Sequence, residues 1–237
     1  MQLSTSLSFK PADLIFDIGA HTGNKADKML KMGAHVVCIE PQPKLIQQLH
    51  RKFRSNLNVS IVGKALADKP GKLKMSICNE SPTISTFSEE WKHGRFSEYN
   101  WDTEAEIETT TLDQIIREYG IPQYCKIDVE GFELQVLKGL SVPIPLISFE
   151  FTIEFLDNGK RCVDYLARLG FKEFNYMLGE NENFEIPAWV GTDMLFDSIK
   201  KIDDLLLWGD IYARYPANTD THNAFTVKEK SKGNVFY

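Results

Sequence analysis

Three carboxyl groups fall within six residues of one another in the segment Lys126-Ile-Asp-Val-Glu-Gly-Phe-Glu133, directly after an apolar run that predicts a strand. Asp128 and Glu130 are two positions apart, so on an extended chain their side chains share one face. Such crowding of negative charge costs free energy unless the carboxylates bind a ligand or transfer a proton. Glu133 has a simpler explanation, because an acid at the start of a helix interacts favourably with the helix dipole. We therefore predict that Asp128 and Glu130 act in catalysis.

A second candidate site is the turn Asp17-Ile-Gly-Ala-His-Thr-Gly23, which lies between a predicted strand and a predicted helix. Dinucleotide-binding enzymes use the tighter spacing GxGxxG, whose close glycines let a pyrophosphate reach the helix N-terminus. Here the spacing is wider, and the Asp17 carboxylate would repel a pyrophosphate but attract an amino group. S-adenosylmethionine has an amino-acid end and no phosphate, so the turn favours it as the cofactor. The alternative is a βα turn that binds no ligand.

A third candidate is Glu40, which ends the second predicted strand 23 residues beyond Asp17 and is followed by Pro41. An acid about 20 residues past a glycine turn can accept hydrogen bonds from the hydroxyls of a ribose. Sites for NAD and for S-adenosylmethionine share this feature, so Glu40 predicts a nucleoside without choosing between them. The alternative is a solvated glutamate at a strand end.

These residues are positioned by β-branched runs that alternate with helical patterns, which is typical of a parallel sheet covered by helices. Seven strands are predicted on one sheet, at residues 14–18, 36–40, 59–62, 124–129, 146–151, 171–176 and 208–214. Helices are predicted at residues 24–32, 43–54, 112–119, 133–140, 159–169 and 192–202. The carboxyl ends of the strands, where ligands bind in such sheets, carry the candidate acids. We predict one α/β domain over residues 1–215 and a polar tail over 216–237.

The segment 79–108 has weak periodicity and many Ser, Thr and Glu residues, so we interpret it as an excursion from the sheet. Because it precedes the strand that bears Asp128, it would cross the mouth of the site as a lid. Its aromatic residues could stack on an apolar or sugar acceptor, and its acids would disfavour an anionic one. A flexible solvated loop explains the composition equally well. The residues concerned are Trp91, Phe96, Tyr99, Trp101, Glu98, Asp102, Glu104, Glu106 and Glu108.

Composition restricts the class of protein. At 237 residues, 43% hydrophobic and 25% charged, the chain matches an ordinary globular protein. Its net charge of −6 is uneven: residues 1–77 contain 12 Lys and Arg against 5 Asp and Glu, and the acidic remainder makes nucleic acid an unexpected partner. With no long apolar run and no secretory-signal pattern, we predict no membrane span and a cytoplasmic location. The four cysteines form no CxxC pair, and we assign no metal site.

Several motifs together resemble the FkbM-type S-adenosylmethionine-dependent methyltransferases. They are Phe16-Asp-Ile-Gly-Ala-His-Thr-Gly23, Ile39-Glu-Pro41, Ala65-Leu-Ala-Asp68, Thr111-Leu-Asp113, the segment 126–133 with Val136-Leu-Lys-Gly139, and Trp208-Gly-Asp210. The resemblance runs over residues 14–214, and the Asp-Val-Glu-Gly block is its most specific part. It implies a Rossmann-like, doubly wound sheet of seven strands whose last strand is antiparallel. It also implies O-methylation of a hydroxyl on a sugar, a glycan or a small metabolite.

The resemblance also implies the residues that contact the cofactor. Asp17, Gly19 and Gly23 would surround its methionine end, Glu40 would bind the ribose, Ala65 and Leu66 would lie near the adenine, and Asp128 beside the reacting methyl group. Ala20, His21 and Pro41 complete the predicted cofactor-binding set. His21 stands where the family usually has Asn, and segment 79–108 matches no family motif. The acceptor therefore stays open, as does the oligomeric state, a homo-oligomer included.

Methyl transfer from a sulfonium is an in-line displacement, so the protein must align the acceptor and remove its proton. We predict Asp128 first as the base, then Glu130, then His21. Glu150, at the end of the next strand, would hold an acceptor hydroxyl or satisfy backbone groups. Two other classes remain: a Rossmann-like NAD or nucleotide-sugar enzyme, disfavoured by the missing GxGxxG, and a non-catalytic scaffold, disfavoured by the intact glycine turn.

Overall fold

A computed structural model describes residue 7 and residues 9–216 of the chain. Over this part it has ten strands: β1 (Leu14–Ile18), β2 (His35–Ile39), β3 (Val59–Val62), β4 (Ala65–Leu66), β5 (Gly71–Ile77), β6 (Thr103–Thr110), β7 (Tyr124–Ile127), β8 (Leu146–Thr152), β9 (Glu173–Leu178) and β10 (Trp208–Arg214). Its six α-helices are α1 (Asn24–Lys31), α2 (Pro43–Lys52), α3 (Leu112–Tyr119), α4 (Glu133–Lys138), α5 (Leu156–Arg168) and α6 (Thr192–Ile199).

Seven of the strands form one sheet in the order β3-β2-β1-β7-β8-β10-β9. The pairs from β3 to β8 are parallel, whereas β10 runs antiparallel to both of its neighbours. This confirms the predicted doubly wound sheet of seven strands with an antiparallel last strand. The order of the strands along the chain reverses between β1 and β7, and open α/β sheets bind ligands beside such a point.

Helices cover both faces of this sheet because its strands are apolar on both sides. Ile15 packs with Met29 of α1 and Leu49 of α2 on one face. Phe16, the next residue, packs with the cluster that contains side chains of α3, α4, α5 and α6 on the other face. Burial on both faces explains why β1 and its neighbours read as continuous apolar runs rather than as alternating ones.

The segment 79–108 differs from the predicted excursion, because its last six residues belong to strand β6. This strand pairs antiparallel with β5 and parallel with β4 in a second sheet of three strands. Its acids face outward, where Glu106 binds Lys72 at 2.7 Å and Glu104 binds Lys74 at 3.3 Å. The alternation of Glu with Ala105 and Ile107 is the period-two signal of a half-buried strand. These acids are neutralised by lysines, so they give no ground for exclusion of anionic acceptors.

Three short 3₁₀ turns occupy much of the remaining excursion, at Pro82–Ile84, Glu90–Lys92 and Gly94–Phe96. Trp91, predicted as an acceptor-stacking residue, is instead a core side chain that is only 4% exposed. Its ring packs against Phe96 and Phe155. A large aromatic residue is held there because burial of its apolar ring stabilises the fold more than exposure on a lid would.

The predicted tail over 216–237 lies outside the described residues except for Pro216. Within the described part, no helix has both the length and the apolar character needed to cross a membrane. All four cysteines are free and buried.

At Gly209 of β10, only glycine leaves enough space for the neighbouring strand β9. A Cβ atom at Gly209 would lie 2.0 Å from the carbonyl oxygen of Met177 and 3.0 Å from Cα of Leu178, both on β9. We expect Gly209→Ala to force β10 away from β9 and to lower the free energy of unfolding by at least about 2 kcal/mol. Urea denaturation followed by circular dichroism measures this.

The matched control is Gly191→Ala, because no atom lies within 4 Å of the Cβ position there. That variant should lose no more than about 1 kcal/mol, which is the usual cost of alanine at a helix N-cap such as that of α6. Equal stability of the two alanine variants would contradict the close approach of β10 and β9.

Candidate active site

A cavity of about 410 Å³ opens at the carboxyl ends of β1, β2 and β7, beside the start of α1. This volume lies in the range of small-molecule sites, roughly 300–1,000 Å³. Nearly all of the predicted cofactor-binding residues line it: Asp17, Gly19, Ala20, His21, Glu40, Pro41, Ala65, Leu66 and Asp128, together with the predicted base Glu130. Gly23 is the exception among them. The topology therefore brings together four sequence segments, around residues 17–21, 40–41, 65–66 and 128–130.

The glycine turn takes its shape from left-handed backbone conformations at Gly19 (φ 79°), His21 (φ 49°) and Gly23 (φ 72°). Gly19 is required for a second reason, since a Cβ atom there would lie 1.7 Å from the carbonyl oxygen of Asp128. Gly23 does not line the cavity; it gives space to the side chains of Leu49 and Phe53. Its role is therefore in the turn and in packing beneath it.

Lys52 of α2 holds this turn from outside and was missed by the sequence analysis. Its ammonium group donates hydrogen bonds to the carbonyl oxygens of Thr22 at 3.0 Å and Gly23 at 2.9 Å, and to Oδ1 of Asn24 at 3.0 Å. A lysine on an amphipathic helix carries no sign of such a contact in the sequence. The contact depends on the packing of α2 beside the turn.

Asp17 is the next-to-last residue of β1 and is only 2% exposed. Its Oδ2 atom has no hydrogen-bond partner within the described structure. Burial raises the pKa of this carboxyl group from 3.8 to about 6, although the charge of Lys126 opposes the shift. An acceptor atom without a donor is costly inside a protein. Asp17 is therefore suited to a ligand group that donates a hydrogen bond or carries positive charge.

Glu40 is also 2% exposed and is fixed by the backbone on both sides. Its Oε2 accepts a hydrogen bond of 2.9 Å from the His21 amide, and its Oε1 accepts one of 2.9 Å from the Gln42 amide. Burial raises its pKa from 4.5 to about 7, while these two hydrogen bonds act in the opposite direction. Each carboxylate oxygen has a second lone pair, so Glu40 can still accept from a ligand.

An apolar part of the cavity wall lies beside Glu40. It is made by Ile39 and Pro41, which flank Glu40, and by Ala65 and Leu66 of β4, which are 4% and 2% exposed. A flat heteroaromatic ring gains free energy when it is buried between such surfaces. The side of the cavity near the glycine turn is polar, so the two ends of the cavity suit different parts of one ligand.

Asp128 and Glu130 both line the cavity, although β7 ends one residue before Asp128. The prediction that an extended strand aligns them is therefore wrong. Glu130 has a left-handed backbone (φ 57°), as does Gly131 (φ 86°), and this turn redirects the chain. Thr86 stabilises it by donating a hydrogen bond of 2.6 Å to the Glu130 carbonyl oxygen. The turn brings both carboxyl groups to the cavity by bending the chain.

The side chain of Glu133 stabilises this turn and does not line the cavity. Its Oε1 accepts hydrogen bonds from the backbone amides of Val129 at 3.2 Å and Gly131 at 3.1 Å. The side chain is buried at the first position of α4 and does not line the cavity. The simple structural explanation of Glu133 therefore holds, with hydrogen bonds added to the helix dipole.

Lys126 is a second site residue that the sequence did not lead us to expect, although a lysine within an apolar strand is uncommon. Its ammonium group lies 2.6 Å from Oδ2 of Asp128, and the residue is 5% exposed. Burial alone would lower the pKa of Lys126, but the charges of Asp128, Asp210 and Asp17 raise it well above its usual value. Lys126 thus stays charged and orients Asp128 at the wall of the cavity.

Glu150 does not line the cavity, but one of its carboxylate oxygens lies within 4.8 Å of carboxylate oxygens of Asp128 and Glu130. Burial, followed by the charges of the neighbouring acids, raises the pKa of both Glu130 and Glu150 well above 4.5. His21 is half-buried near Asp128, and burial lowers the pKa of its imidazole below 6.5. All three predicted bases, Asp128, Glu130 and His21, therefore line the same cavity.

Comparisons with solved structures give low sequence identity over most of the chain. Fibrillarin from Aeropyrum pernix, crystallised with natively bound S-adenosyl-L-methionine, has a TM-score of 0.49 and 11% identity, over 87% of this chain and 68% of that one. Precorrin-6y C5,15-methyltransferase from Geobacter metallireducens has a TM-score of 0.47 and 10% identity, over 88% and 82%. Magnesium protoporphyrin IX methyltransferase from Synechocystis has 0.46 and 10%, over 87% and 71%. No curated protein matches the chain in sequence.

A protein-family model gives the decisive comparison. The model described as the methyltransferase FkbM domain matches residues 17–173. This range is more than half of the chain, and it contains the glycine turn, Glu40, the apolar wall and the acid-rich turn after β7. The chain therefore belongs to the family of methyltransferases with an FkbM domain, as its motifs predict.

Proposed function

We propose that this protein is an S-adenosylmethionine-dependent methyltransferase that methylates a hydroxyl group on a sugar, a glycan or a small metabolite. The observation that carries the proposal is one cavity that joins two buried carboxylates, Asp17 and Glu40, to the acid-rich turn of Asp128 and Glu130. Membership of the FkbM family supports the transfer of a methyl group. The cavity supports a cofactor with one polar end and one aromatic end.

The residues fit the three parts of S-adenosylmethionine. Asp17, whose Oδ2 has no donor in the described structure, would bind the amino group of the methionine end. Glu40, held by two backbone amides, would accept hydrogen bonds from the ribose hydroxyls. Ala65 and Leu66 would contact the adenine. A dinucleotide fits less well, because the same buried acids would repel its pyrophosphate.

When bound, the cofactor supplies a methyl group on a positively charged sulfur, which is electrophilic without further activation. The protein must hold the acceptor hydroxyl in line and take its proton. Glu130 suits this task, because burial and the neighbouring acids raise its pKa well above that of an ordinary carboxylate and so increase its affinity for a proton. Asp128, with Oδ2 occupied by Lys126 at 2.6 Å, would orient the hydroxyl through its other oxygen. His21 is the third candidate base, kept neutral by burial.

The acceptor enters beside Phe87 and Phe132, whose rings pack together at 5.2 Å and line the cavity. Aromatic faces of this kind contact sugar rings and apolar metabolites. The carboxylates at the reacting end disfavour a negatively charged acceptor. We therefore expect a neutral hydroxylated metabolite or glycan rather than a nucleic acid.

The first test of the proposed function is calorimetric titration with S-adenosylhomocysteine, with NAD in a parallel experiment. We expect micromolar binding of S-adenosylhomocysteine, and at least tenfold weaker binding by Glu40→Ala, because the ribose hydroxyls lose a charged acceptor. Glu106→Ala is the matched control, since Glu106 is an exposed acid that binds Lys72 on the second sheet. Tight binding of NAD alone would contradict the proposal, and binding of neither compound would favour a scaffold.

The affinity for S-adenosylhomocysteine should also depend on pH. The pKa of Glu40 is raised to about 7 in the free protein, and the ligand binds the ionised form. Acidification from pH 8 to pH 6 protonates Glu40 and should weaken binding by about threefold to tenfold. The dissociation constant measured at each pH tests this. Glu40→Gln should bind weakly at both values with a flatter pH dependence, and an unchanged slope would assign it to another group.

Catalysis is tested separately from binding, after hydroxylated metabolites and glycans are screened with a labelled methyl donor. With an acceptor in hand, Glu130→Gln should lower kcat by about 100-fold or more, because a general base contributes that much. Its affinity for S-adenosylhomocysteine should stay within threefold of the wild type. Full turnover by this variant would exclude Glu130 as the base and return the role to Asp128 or His21.

A further inference from the structure

Three carboxylates converge from the ends of two neighbouring strands. One oxygen from each of Asp128, Glu130 and Glu150 lies within 4.8 Å of the corresponding oxygens of the other two. Oxygens that bind one cation at 2.0–2.6 Å are separated by at most about twice that distance. The spacing of the three carboxylates is therefore compatible with a single metal ion between them.

The charge of this cluster is not balanced by the described side chains. Lys126 is the one described cation that pairs with it, and Lys126 is shared with Asp17 and Asp210. Asp210 also lies directly opposite Glu150 in the pairing of β10 with β8, so the nearest neighbour of Glu150 across the strands is another acid. Carboxylates crowded together in this way are stabilised by a bound proton or a cation.

Glu150 supplies a second, independent observation. Its Oε2 atom is inaccessible to solvent and has no hydrogen-bond donor within the described structure. A buried acceptor without a protein donor is suited to a bound cation, a proton or a water molecule.

We propose that Asp128, Glu130 and Glu150 bind one divalent cation at the reacting end of the cavity. Ligands made only of oxygen favour Mg²⁺, Mn²⁺ or Ca²⁺ over softer metals. Three protein oxygens leave coordination positions open toward the cavity, into which Asp128 and Glu130 project. Two adjacent oxygens of an acceptor, such as the vicinal hydroxyls of a sugar, fit these positions. This deepens the proposed function and rests on it for the identity of the acceptor as a hydroxylated compound.

The cation assists the reaction by stabilising negative charge on the acceptor oxygen. The hydroxyl proton passes to the second oxygen of Glu130, which does not ligate the cation. The acceptor oxygen forms a bond to the methyl carbon while the carbon–sulfur bond breaks, and the electron pair of that bond stays on sulfur. The products are a methyl ether, S-adenosylhomocysteine and one proton, so atoms and charges balance without another reactant.

The test uses Mn²⁺ and the full-length protein without an acceptor. Loss of the electron paramagnetic resonance signal of free Mn²⁺ counts the bound ions and gives their affinity. We expect one Mn²⁺ per chain, competition by Mg²⁺, and at least tenfold weaker binding by Glu150→Gln. Glu130→Gln is a second variant whose partly exposed side chain tolerates substitution, and Glu106→Gln is the matched control that should bind like the wild type.

No depletion of free Mn²⁺ at millimolar protein would overturn the cation site, and so would unchanged binding in both Glu150→Gln and Glu130→Gln. Circular dichroism verifies that each variant is folded. The same samples are titrated with S-adenosylhomocysteine in the presence of a chelator. Binding of that compound without Mn²⁺ binding rejects the cation and leaves the methyltransferase proposal standing. Mn²⁺ binding without S-adenosylhomocysteine binding rejects the proposed cofactor instead.

Discussion

The contact between Gly19 and the carbonyl oxygen of Asp128 sets the geometry of the whole site. No side chain fits between them, so the turn after β1 and the turn after β7 are held against each other by their backbones. Because of this contact, Asp17 and Asp128 line the same cavity. Gly19 is therefore required for two reasons. It lets the two turns approach each other closely, and it adopts a left-handed backbone conformation.

Electrostatics impose the second constraint, because several carboxyl groups lie close together in the site. Lys126 lies below them, paired with Asp128, and its charge also reaches Asp17 and Asp210. One buried cation cannot compensate every carboxylate in its neighbourhood. In the proposed function, the remaining negative charge favours ligands that carry positive charge or donate hydrogen bonds.

The sequence was sufficient for the features that depend on local chemistry or on strong periodicity. The apolar runs predicted all seven strands of the main sheet, with ends that differ by up to two residues, as at β7 and β9. The motifs predicted the residues around the cavity. The strand β6 within segment 79–108 was not predicted, because its many Glu residues obscured the alternation of exposed and buried side chains. Trp91 is a core residue for a reason that no local pattern contains, namely the distant partners Gly131 and Phe155.

The position of β10 between β8 and β9 has a consequence for biosynthesis. Residues 208–214 provide the hydrogen bonds for one edge of β8 and one edge of β9, and they form the last strand of the main sheet in chain order. While a ribosome is still making the chain, both of these edges lack their partner. The sheet can therefore close only after nearly the entire domain has left the exit tunnel, and until then the unpaired edges are open to association with other chains. A chaperone that shields strand edges would act on this protein late in synthesis rather than on its first βαβ unit.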